Sequence, residues 1–554
     1  MKKYYSFLSA LILSFISPFL FAQTPTWEWA DAAGDHGNEA ASSVAIDAAG
    51  NAYITGSYTS AFIDFGTYSL LNTFNGTADI HVVKYNPAGV VLWANTFGGA
   101  DGDAATGITV DAFGNVLITG WFASPSISFG STVLTNSGTA SSDLFIVKFD
   151  PSGNVIWAKS AGSTGNDRGQ HISTDANGNV FVVGWYTSPT INFGTGALTN
   201  SGSSTNEIFA VKYDPNGNAL WSKSVGGTNY DAAYGCATDQ TGNLYMTGSF
   251  ASASIDFGSG ALVNTQTGFH DFFINKYDAS GNSLWSKSAT GDYDDIAYAV
   301  AISGSNIYVT GYFSSPTVSF GTNPVLTNAS APTPDIFIAQ YSSTGTANWS
   351  ARAGGIDEDA ARCVYADASG NAYITGSFTS TSINFGSGTL SNVSPGTKDI
   401  FVAAFNNSGT SLWSLPVGNT SDEVGYGITC NSNASIIYVA GMFNSGSLSF
   451  GATTVYKGCG DDLFLAKLGN TSTGFAESSD ANDFLIYPNP SNGIFSVPEK
   501  LKNAEVEIYN AMGEEIYFGA AIQGSIDISA NGSGVYFARI TAEGKYYSQR
   551  LLVE

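Results

Sequence analysis

Short apolar runs cover most of the chain and are separated by turns rich in Asp, Asn and Gly. In Asp271–Trp285, one apolar run passes through the turn Asp-Ala-Ser-Gly-Asn into a second run that ends on tryptophan. Short runs of this kind between turn signals predict β-strands. Asp or Asn opening a turn bonds the local backbone, and Gly supplies the positive φ of a hairpin. The pattern therefore predicts an all-β chain of short antiparallel strands.

The same unit recurs every 64 residues and is marked by a tryptophan. The marker occurs at Trp29, Trp93, Trp157, Trp221, Trp285, Trp349 and Trp413. Each unit has four strand-like runs, which we call strands A to D; Ala40–Asp47, Asn51–Ser57 and Asp143–Asp150 exemplify A, B and C, and D carries the tryptophan. Such a unit cannot bury both faces alone, whereas radial repetition packs the faces of neighbouring units together. We therefore predict a β-propeller with the tryptophans as core wedges.

The number of strands predicts seven blades and the way in which the ring closes. Strands A to C occur seven times, the last being Glu423–Asn431, Ile436–Phe443 and Asp462–Leu468. No tryptophan strand follows them, but an isolated one, Thr26–Trp29, stands one period before Trp93. We predict a seven-bladed β-propeller over 23–468, closed by this N-terminal strand, because closure removes an exposed sheet edge.

The unit also resembles a known repeat family. The pattern Asp-x-Ala-x-Gly-Ile-x-x-Asp-x-x-Gly-Asn-x-Tyr-Ile-Thr-Gly is matched closely at Asp103–Gly120 and Asp359–Gly376. It is similar to the SBBP (seven-bladed β-propeller) repeat family over most of residues 24–469. The resemblance implies a propeller fold and surface export, and the family carries no single activity.

The two ends of the chain differ from the repeats. Residues 1–22 place Lys2 and Lys3 before an apolar run that ends at Ala22, which predicts a signal peptide and no transmembrane segment in the mature chain. Residues 469–482, rich in Gly, Ser, Thr and Asn, are predicted to be a linker. Residues 483–554 begin a new alternating-strand pattern, which predicts a small C-terminal β-sandwich domain.

The tail carries its own motif order. It opens with Tyr487, Pro488, Asn489 and Pro490, followed by Gly493. The order and spacing of these and later motifs resemble the type A sorting domain of the type IX secretion system of Bacteroidetes. The resemblance implies that the tail engages that machinery to cross the outer membrane, and that the protein is secreted or stays at the outer cell surface.

Charge narrows the range of partners. The chain has 45 acidic and 20 basic residues and a net charge of −25, which excludes nucleic acid, since phosphate binding needs basic patches. Divalent cations and sugar surfaces remain as classes of partner that an acidic protein can bind. The four cysteines follow no zinc-like spacing.

One end of the propeller is expected to carry the longer connections. In an antiparallel meander, the D–A and B–C connections share one face, and the B–C connection is long, as in Ala251–His270. We predict it to be a loop, and elaborated loops on a rigid scaffold are where binding normally occurs.

Two series of carboxylates mark the same end. One series opens strand A and comprises Glu39, Asp103, Asp167, Asp231, Asp295, Asp359 and Glu423. The other opens strand C and comprises Asp79, Asp143, Glu207, Asp271, Asp335, Asp399 and Asp462. One interpretation of the first series is a ligand-binding or cation-attracting ring that holds Ca²⁺. The other is that each carboxylate accepts backbone N–H bonds where a loop enters a strand, and recurrence in every blade favours it.

Catalytic motifs are missing from the sequence. No Ser/His/Asp motif, H-E-x-x-H or P-loop occurs, and Arg168, Arg352 and Arg362 do not form the cluster of a sialidase-like site. His171, alone of its kind at its repeat position, is either a hydrogen-bonded core residue or a group in the central channel. The sequence favours a secreted or cell-surface binding scaffold for a glycan or adhesion partner. The alternative is a secreted hydrolase or lyase that acts on polysaccharide at the D–A/B–C face.

Overall fold

The computed structural model describes residues 24–202, 204–289, 291–469, 486–497, 504–510, 515–520, 524–542 and 545–554. The predicted signal peptide and almost all of the predicted linker lie outside these residues. The chain divides between Asn470 and Thr471 into two compact units. Apart from one 3₁₀ turn, every regular element described is a β-strand, so the all-β prediction is confirmed.

The first unit contains seven four-stranded antiparallel sheets, each in the order A-B-C-D. Strand A spans Glu39–Ile46, Asp103–Val110, Asp167–Thr174, Asp231–Thr238, Asp295–Ser303, Asp359–Ala366 and Glu423–Cys430. Strand B spans Ala52–Tyr58, Val116–Phe122, Val180–Tyr186, Leu244–Phe250, Asn306–Phe313, Ala372–Phe378 and Ile436–Phe443. Strand C spans Asp79–Tyr85, Asp143–Phe149, Glu207–Tyr213, Asp271–Tyr277, Asp335–Ser342, Asp399–Phe405 and Asp462–Gly469. Strand D spans Val91–Phe97, Val155–Ala161, Ala219–Val225, Ser283–Ala289, Ala347–Ala353 and Ser411–Val417, and in the seventh sheet Thr26–Ala33.

The B–C connections differ from the prediction of a loop, because each contains a two-stranded hairpin. The hairpin strands are Phe62–Phe65 with Tyr68–Leu71, Ser126–Phe129 with Thr132–Thr135, Thr190–Asn192 with Ala197–Thr199, Ser254–Asp256 with Ala261–Val263, Thr317–Val318 with Leu326–Thr327, Ser382–Asn384 with Thr389–Ser391, and Ser447–Phe450 with Thr453–Tyr456. A buried Ile, Val or Leu and a buried Phe anchor each hairpin, as Ile127 and Phe129 do in the second. These strands have only two to four residues, too few for an alternation to be recognised.

The seven sheets contact one another in chain order. Each strand A packs against strand A of the next sheet, and that of the seventh packs against that of the first. The N-terminal strand Thr26–Ala33 pairs antiparallel with Asp462–Gly469 as the outermost strand of the seventh sheet. The first and last segments of the repeat region therefore share one sheet.

The tryptophans connect neighbouring sheets. The indole N–H of Trp157 donates to the carbonyl of Pro215, in the C–D turn of the next sheet, at 3.1 Å. Trp29 makes the same contact to Pro87 at 3.0 Å. The indole also covers a turn glycine: a Cβ on Gly217, where φ is +80°, would lie 3.2 Å from the ring of Trp157. The turn therefore needs glycine for its positive φ and for this close contact.

The described part of the second unit, taken by itself, contains six strands and a short 3₁₀ turn. Its four-stranded sheet contains Glu505–Asn510, Glu515–Ala520, Gly534–Ala542 and Lys545–Val553. A two-stranded sheet joins Ile494–Ser496 to Ser525–Asp527, and the 3₁₀ turn is Ser529–Asn531. Its core includes Ile486, Phe495, Val506 and Ile540. Within the described residues, no helix combines the length and the apolar character that a bilayer crossing requires.

Candidate functional site

The carboxylates that open strand A are buried at the end of each sheet that carries the B–C hairpin. All seven are at most 1% exposed. Each contacts a serine that lies about twenty residues further on, where the B–C connection begins. The pairs are Glu39 with Ser60, Asp103 with Ser124, Asp167 with Ser188, Asp231 with Ser252, Asp295 with Ser315, Asp359 with Ser380, and Glu423 with Ser445.

Asp231 shows the full contact set. The Ser252 hydroxyl donates to Oδ2 at 2.7 Å, and the N–H groups of Ala251 and Ser252 donate to Oδ1, both at 3.1 Å. The N–H of Gly227, in the D–A loop, donates to Oδ2 at 2.9 Å. One carboxylate thus ties together the end of strand B, the start of the B–C connection and the preceding D–A loop.

The carboxylates that open strand C are also buried and also hold loop backbone. The N–H of Thr73 donates to Asp79 at 2.7 Å, and that of Val393 donates to Asp399 at 2.7 Å. One oxygen of most of these groups is buried with no hydrogen-bond partner among the described residues. Those atoms belong to Asp79, Asp143, Asp271, Asp335, Asp399 and Asp462. A bare buried carboxylate oxygen is costly, which favours a bound proton or a cation there.

The two series meet at the junctions between sheets. The N–H of Asp103 donates to the carbonyl of Ala78, the residue before Asp79 in the preceding sheet, at 2.7 Å. Burial raises the pKa of Asp103 to about 6, and the nearby charge of Asp79 adds to the rise. Burial likewise raises the pKa of Asp295 to about 7, and Asp271 of the preceding sheet adds to it.

A metal site is not evident from side chains alone. Across the described part of the chain, no group of three or more His, Cys, Asp or Glu side chains is arranged to hold a metal ion. Each junction offers two carboxylates, and backbone carbonyls would have to complete the coordination of a Ca²⁺ ion, which takes six to eight oxygens. The structure brings each strand-A acid together with one strand-C acid, and buries both beneath the loops.

Strands A of all seven sheets line a cavity of about 310 Å³ on the axis of the first unit. His171 lies on its wall, and its Nδ1 is 3.5 Å from Sγ of Cys236 in the next sheet. Burial lowers the pKa of His171 to about 4 and raises that of the Cys236 thiol. The pair is therefore neutral, and lacks the thiolate that nucleophilic chemistry needs.

Each strand A has a β-bulge just before the cavity, and one residue is left outside the ladder. These seven residues, which we call the bulge ring, are Ser42, Thr106, Gln170, Tyr234, Tyr298, Arg362 and Tyr426. The ladder residue before the bulge is Ala or Gly in every sheet, whereas the bulge ring varies in size and charge. These residues are not predicted as a set from the sequence, where their signal is the variation at this phase of the repeat.

The predicted sorting-motif residues lie at the start of the second unit. Tyr487 exchanges backbone hydrogen bonds with Ser496, and the Asn489 side chain accepts from the N–H of Leu552 at 2.8 Å. Gly493 has φ of +95° and accepts from the N–H of Ile528 at 2.8 Å. These contacts fasten the opening segment to the rest of the unit.

Residues 485–554 match the family described as "Secretion system C-terminal sorting domain". The protein is secreted or displayed at the outer cell surface. The match covers the second unit and leaves the ligand of the first unit open.

Two curated proteins are similar to parts of this chain. The chain is 25% identical over 479 residues to an uncharacterized WD repeat-containing protein of Acanthamoeba polyphaga mimivirus, covering 73% of this chain and 34% of that protein. It is 26% identical over 174 residues to the regulatory protein FlaEY of Caulobacter vibrioides, covering 30% of this chain and 18% of that protein. The chain thus spans about a third of the length of the first relative and less than a fifth of the second. The first similarity supports homology to propeller-like WD repeats.

Solved structures with similar chains include the mitotic checkpoint complex. The similarity has 10% sequence identity and a TM-score of 0.41, and it covers 78% of this chain and 96% of the chain in that structure. Another is PorZ, described as an essential bacterial surface component of the type-IX secretion system of Porphyromonas gingivalis. That similarity has 11% sequence identity and a TM-score of 0.25, and it covers 92% of this chain and 81% of PorZ.

Proposed function

We propose that the protein is an exported, non-enzymatic binding scaffold. Its first unit is a seven-bladed β-propeller of the SBBP repeat type, and the D–A/B–C face of that propeller holds a glycan or a surface protein. The observation that carries this proposal is the regular set of seven B–C hairpins at one end of the ring, each tied down at its start by a buried carboxylate. A rigid scaffold with elaborated connections on one face is the usual arrangement of a binding surface.

Ring closure by the N-terminal strand belongs to the same proposal. Trp29 on that strand donates to Pro87 of the first sheet, as Trp157 donates to Pro215 within the repeats. Lys467 of the seventh sheet donates to the same Pro87 carbonyl at 3.0 Å, and so repeats the contact of Lys148 with Pro215. These contacts support seven equivalent blades over 23–468.

The ends of the chain serve export. Residues 1–22 act as a signal peptide, 469–482 as a linker, and 483–554 as a small β-sandwich recognised by the type IX secretion machinery of a Bacteroidetes-like cell. The match of residues 485–554 to a sorting domain supports this role.

The role of the strand-A carboxylates is to position the D–A and B–C loops. Their burial and their hydrogen bonds to serine and backbone N–H groups support that role, as illustrated by Asp231. Binding of Ca²⁺ at the same junctions is the alternative, and the two predict opposite responses to chelation and to pH.

A glycan array followed by a turnover assay tests the binding function. We expect the purified full chain to bind a subset of surface glycans and to leave them intact, as judged by mass spectrometry of the recovered sugar. Cleavage of a bound polysaccharide would instead establish a hydrolase or lyase. Binding to no glycan and to no surface protein of the producing cell would contradict the scaffold role.

A further inference from the structure

The bulge ring and its neighbours carry the side chains in which the seven sheets differ most. The penultimate residue of strand B, near the ring, is Ser57, Ser249 or Ser377 in three sheets, but Trp121 or Trp185 in two others. What recurs in every sheet is explained by the fold. The fold does not explain a cluster of large side chains that is present in some sheets only. This cluster lies between the D–A loops and the axial cavity.

One part of this cluster is built around Arg362. Its guanidinium lies 4.6 Å from the ring centre of Tyr298. Tyr298 in turn stands 5.4 Å from Tyr234 and 5.9 Å from Tyr312, measured between ring centres. All four residues are half-buried, so each keeps part of its side chain accessible to solvent.

A second part is built around Arg168. Its guanidinium lies 4.3 Å from the ring centre of Trp121 and 5.4 Å from that of Trp185, which is its cross-strand neighbour. The other sheets place a small or apolar residue at this position, such as Ala104 or Val424. Stacking on aromatic faces fixes the plane of a guanidinium and leaves its N–H edge available.

Neither arginine has an ionic partner among the residues that the structure describes. Within the described chain, Arg168 and Arg362 make no salt bridge, and the Nε of each is buried without a hydrogen-bond acceptor. The protein has more than two acidic residues for every basic one, so the chain has ample carboxylates from which a salt-bridge partner for each arginine could come. The carboxylate near these tyrosines, Asp294, is engaged by His270 at 3.0 Å. A buried Nε–H without an acceptor is costly, and because both arginines are only half-buried, an external acceptor can reach their remaining N–H groups.

We propose that the bulge ring and the adjoining Trp121, Trp185 and Arg168 form the binding site for the carboxylate-bearing sugar units of an acidic glycan. This inference rests on the proposed binding function and names its ligand class. A planar guanidinium binds a carboxylate through two parallel hydrogen bonds. The aromatic rings beside it accommodate the apolar C–H face of the sugar, and the tyrosine hydroxyls reach its hydroxyl groups.

The test compares an acidic glycan with its neutral form by calorimetric titration of the full chain. The probes are oligogalacturonate and the same chain with every carboxylate methyl-esterified. We expect the acid form to bind at least 10-fold more tightly. Equal binding of the two forms would overturn the proposal, because the arginines would then contribute nothing to recognition.

Variants locate the site. We expect Arg362→Gln and Arg168→Gln each to weaken oligogalacturonate binding at least 10-fold. Arg362→Lys should weaken it nearly as much, because lysine keeps the charge but loses the planar fork. The matched control is Lys398→Gln, which removes a positive charge from the same face, where Lys398 is paired with Glu358 at 3.2 Å, and should change binding less than 2-fold.

Unchanged melting temperatures would show that these variants fold. If Lys398→Gln weakens binding as much as Arg362→Gln, general charge rather than this site is responsible, and the proposal is wrong. A chain that binds neutral glycans on the array but not oligogalacturonate would overturn this site and leave the scaffold function standing. A chain that binds no glycan and no surface protein would overturn both.

Discussion

Each strand A of the seven sheets begins with a buried carboxylate whose hydrogen bonds reach other segments of the chain, unlike those of a turn residue. Asp231 accepts four hydrogen bonds from three segments, whereas the turn residue Asp214 holds only its own loop. Burial raises the pKa of Asp231, and the hydrogen bond from Ser252 partly offsets the rise. The balance between desolvation and hydrogen bonding decides whether such a group carries a charge.

Substitution of Asp231 separates a loop anchor from a metal ligand. Asn keeps one acceptor oxygen and resembles the neutral acid, so we expect Asp231→Asn to lower the free energy of unfolding by about 1 kcal/mol. Asp231→Ala removes every acceptor and should cost about 2–3 kcal/mol. Urea unfolding of both variants, with and without EDTA, measures this. If EDTA lowers the wild-type melting temperature, calcium restores it, and Asn is as damaging as Ala, the site holds Ca²⁺.

The raised carboxyl pKa values predict that stability falls as pH rises. Burial raises the pKa of Asp167 and Asp359 to about 6 and that of Glu423 to about 7. A folded-state pKa above the unfolded value means that the folded state binds more protons, so the contribution of these groups is lost as pH rises through 6 to 7. His81 and His171 oppose this below pH 6.5, since burial lowers their pKa to about 4, but the carboxyls outnumber them.

We therefore expect the melting temperature, measured by calorimetry in EDTA, to fall by several degrees between pH 5 and pH 7.5 and then to level off. Hydrogen bonds from Asn218 lower the pKa of the turn residue Asp214. Turn residues of this kind titrate below this pH window and serve as an internal reference. A melting temperature that rises with pH in calcium would indicate deprotonated, metal-bound pairs instead.

At the scale of single elements, the N-terminal strand has the contacts of a regular strand D. It pairs with Asp462–Gly469 along its length, and Glu28 forms an ion pair with Lys467 at 2.8 Å. Its residue Trp29 also covers Gly89, where a Cβ would lie 3.1 Å from the indole. Without this strand, the backbone edge of Asp462–Gly469 would be open to solvent and to other chains.

Deletion of Thr26–Ala33 should therefore lower the melting temperature, broaden the transition and promote association. Trp29→Phe and Trp157→Phe provide the matched comparison, because each removes one indole N–H bond to a neighbouring turn. We expect the two substitutions to cost the same to within about 0.5 kcal/mol. A deletion variant that melts with unchanged temperature and cooperativity would show that the strand does not close the ring.

What the sequence predicts depends on whether the pattern repeats. The four strands of each unit are recognisable because apolar runs, Asp-x-x-Gly turns and one tryptophan recur every 64 residues. The B–C hairpins cannot be predicted from the sequence, since strands such as Thr317–Val318 are too short to show an alternation of apolar and polar residues. The bulge that exposes Arg362 cannot be predicted either, because it follows from a register shift between two strands. The strand-A acids were recognisable as a set, but their burial depends on packing between sheets.

At the scale of the whole chain, the protein divides into two compact units. The first has seven sheets whose cores are shared between neighbours, so its stability depends on an uninterrupted ring. The second has its own buried core around Phe495 and Val506. Because the sorting-domain match and the proposed binding surface lie in different units, we expect either to be removable without loss of the other.

Removal of the second unit tests this division directly. Of the strands of the seven sheets, a chain that ends at Leu468 lacks only the last residue of one, Gly469, so we expect it to fold with a nearly unchanged melting temperature. It should accumulate in the periplasm of a cell with type IX secretion, because the sorting domain, residues 485–554, is missing. The full chain should reach the surface or the medium, as measured by immunoblots of the cell fractions. A fusion of residues 469–554 to an unrelated periplasmic protein is the matched control and should be exported. Equal surface delivery of the full and shortened chains would show that the first unit carries its own export signal.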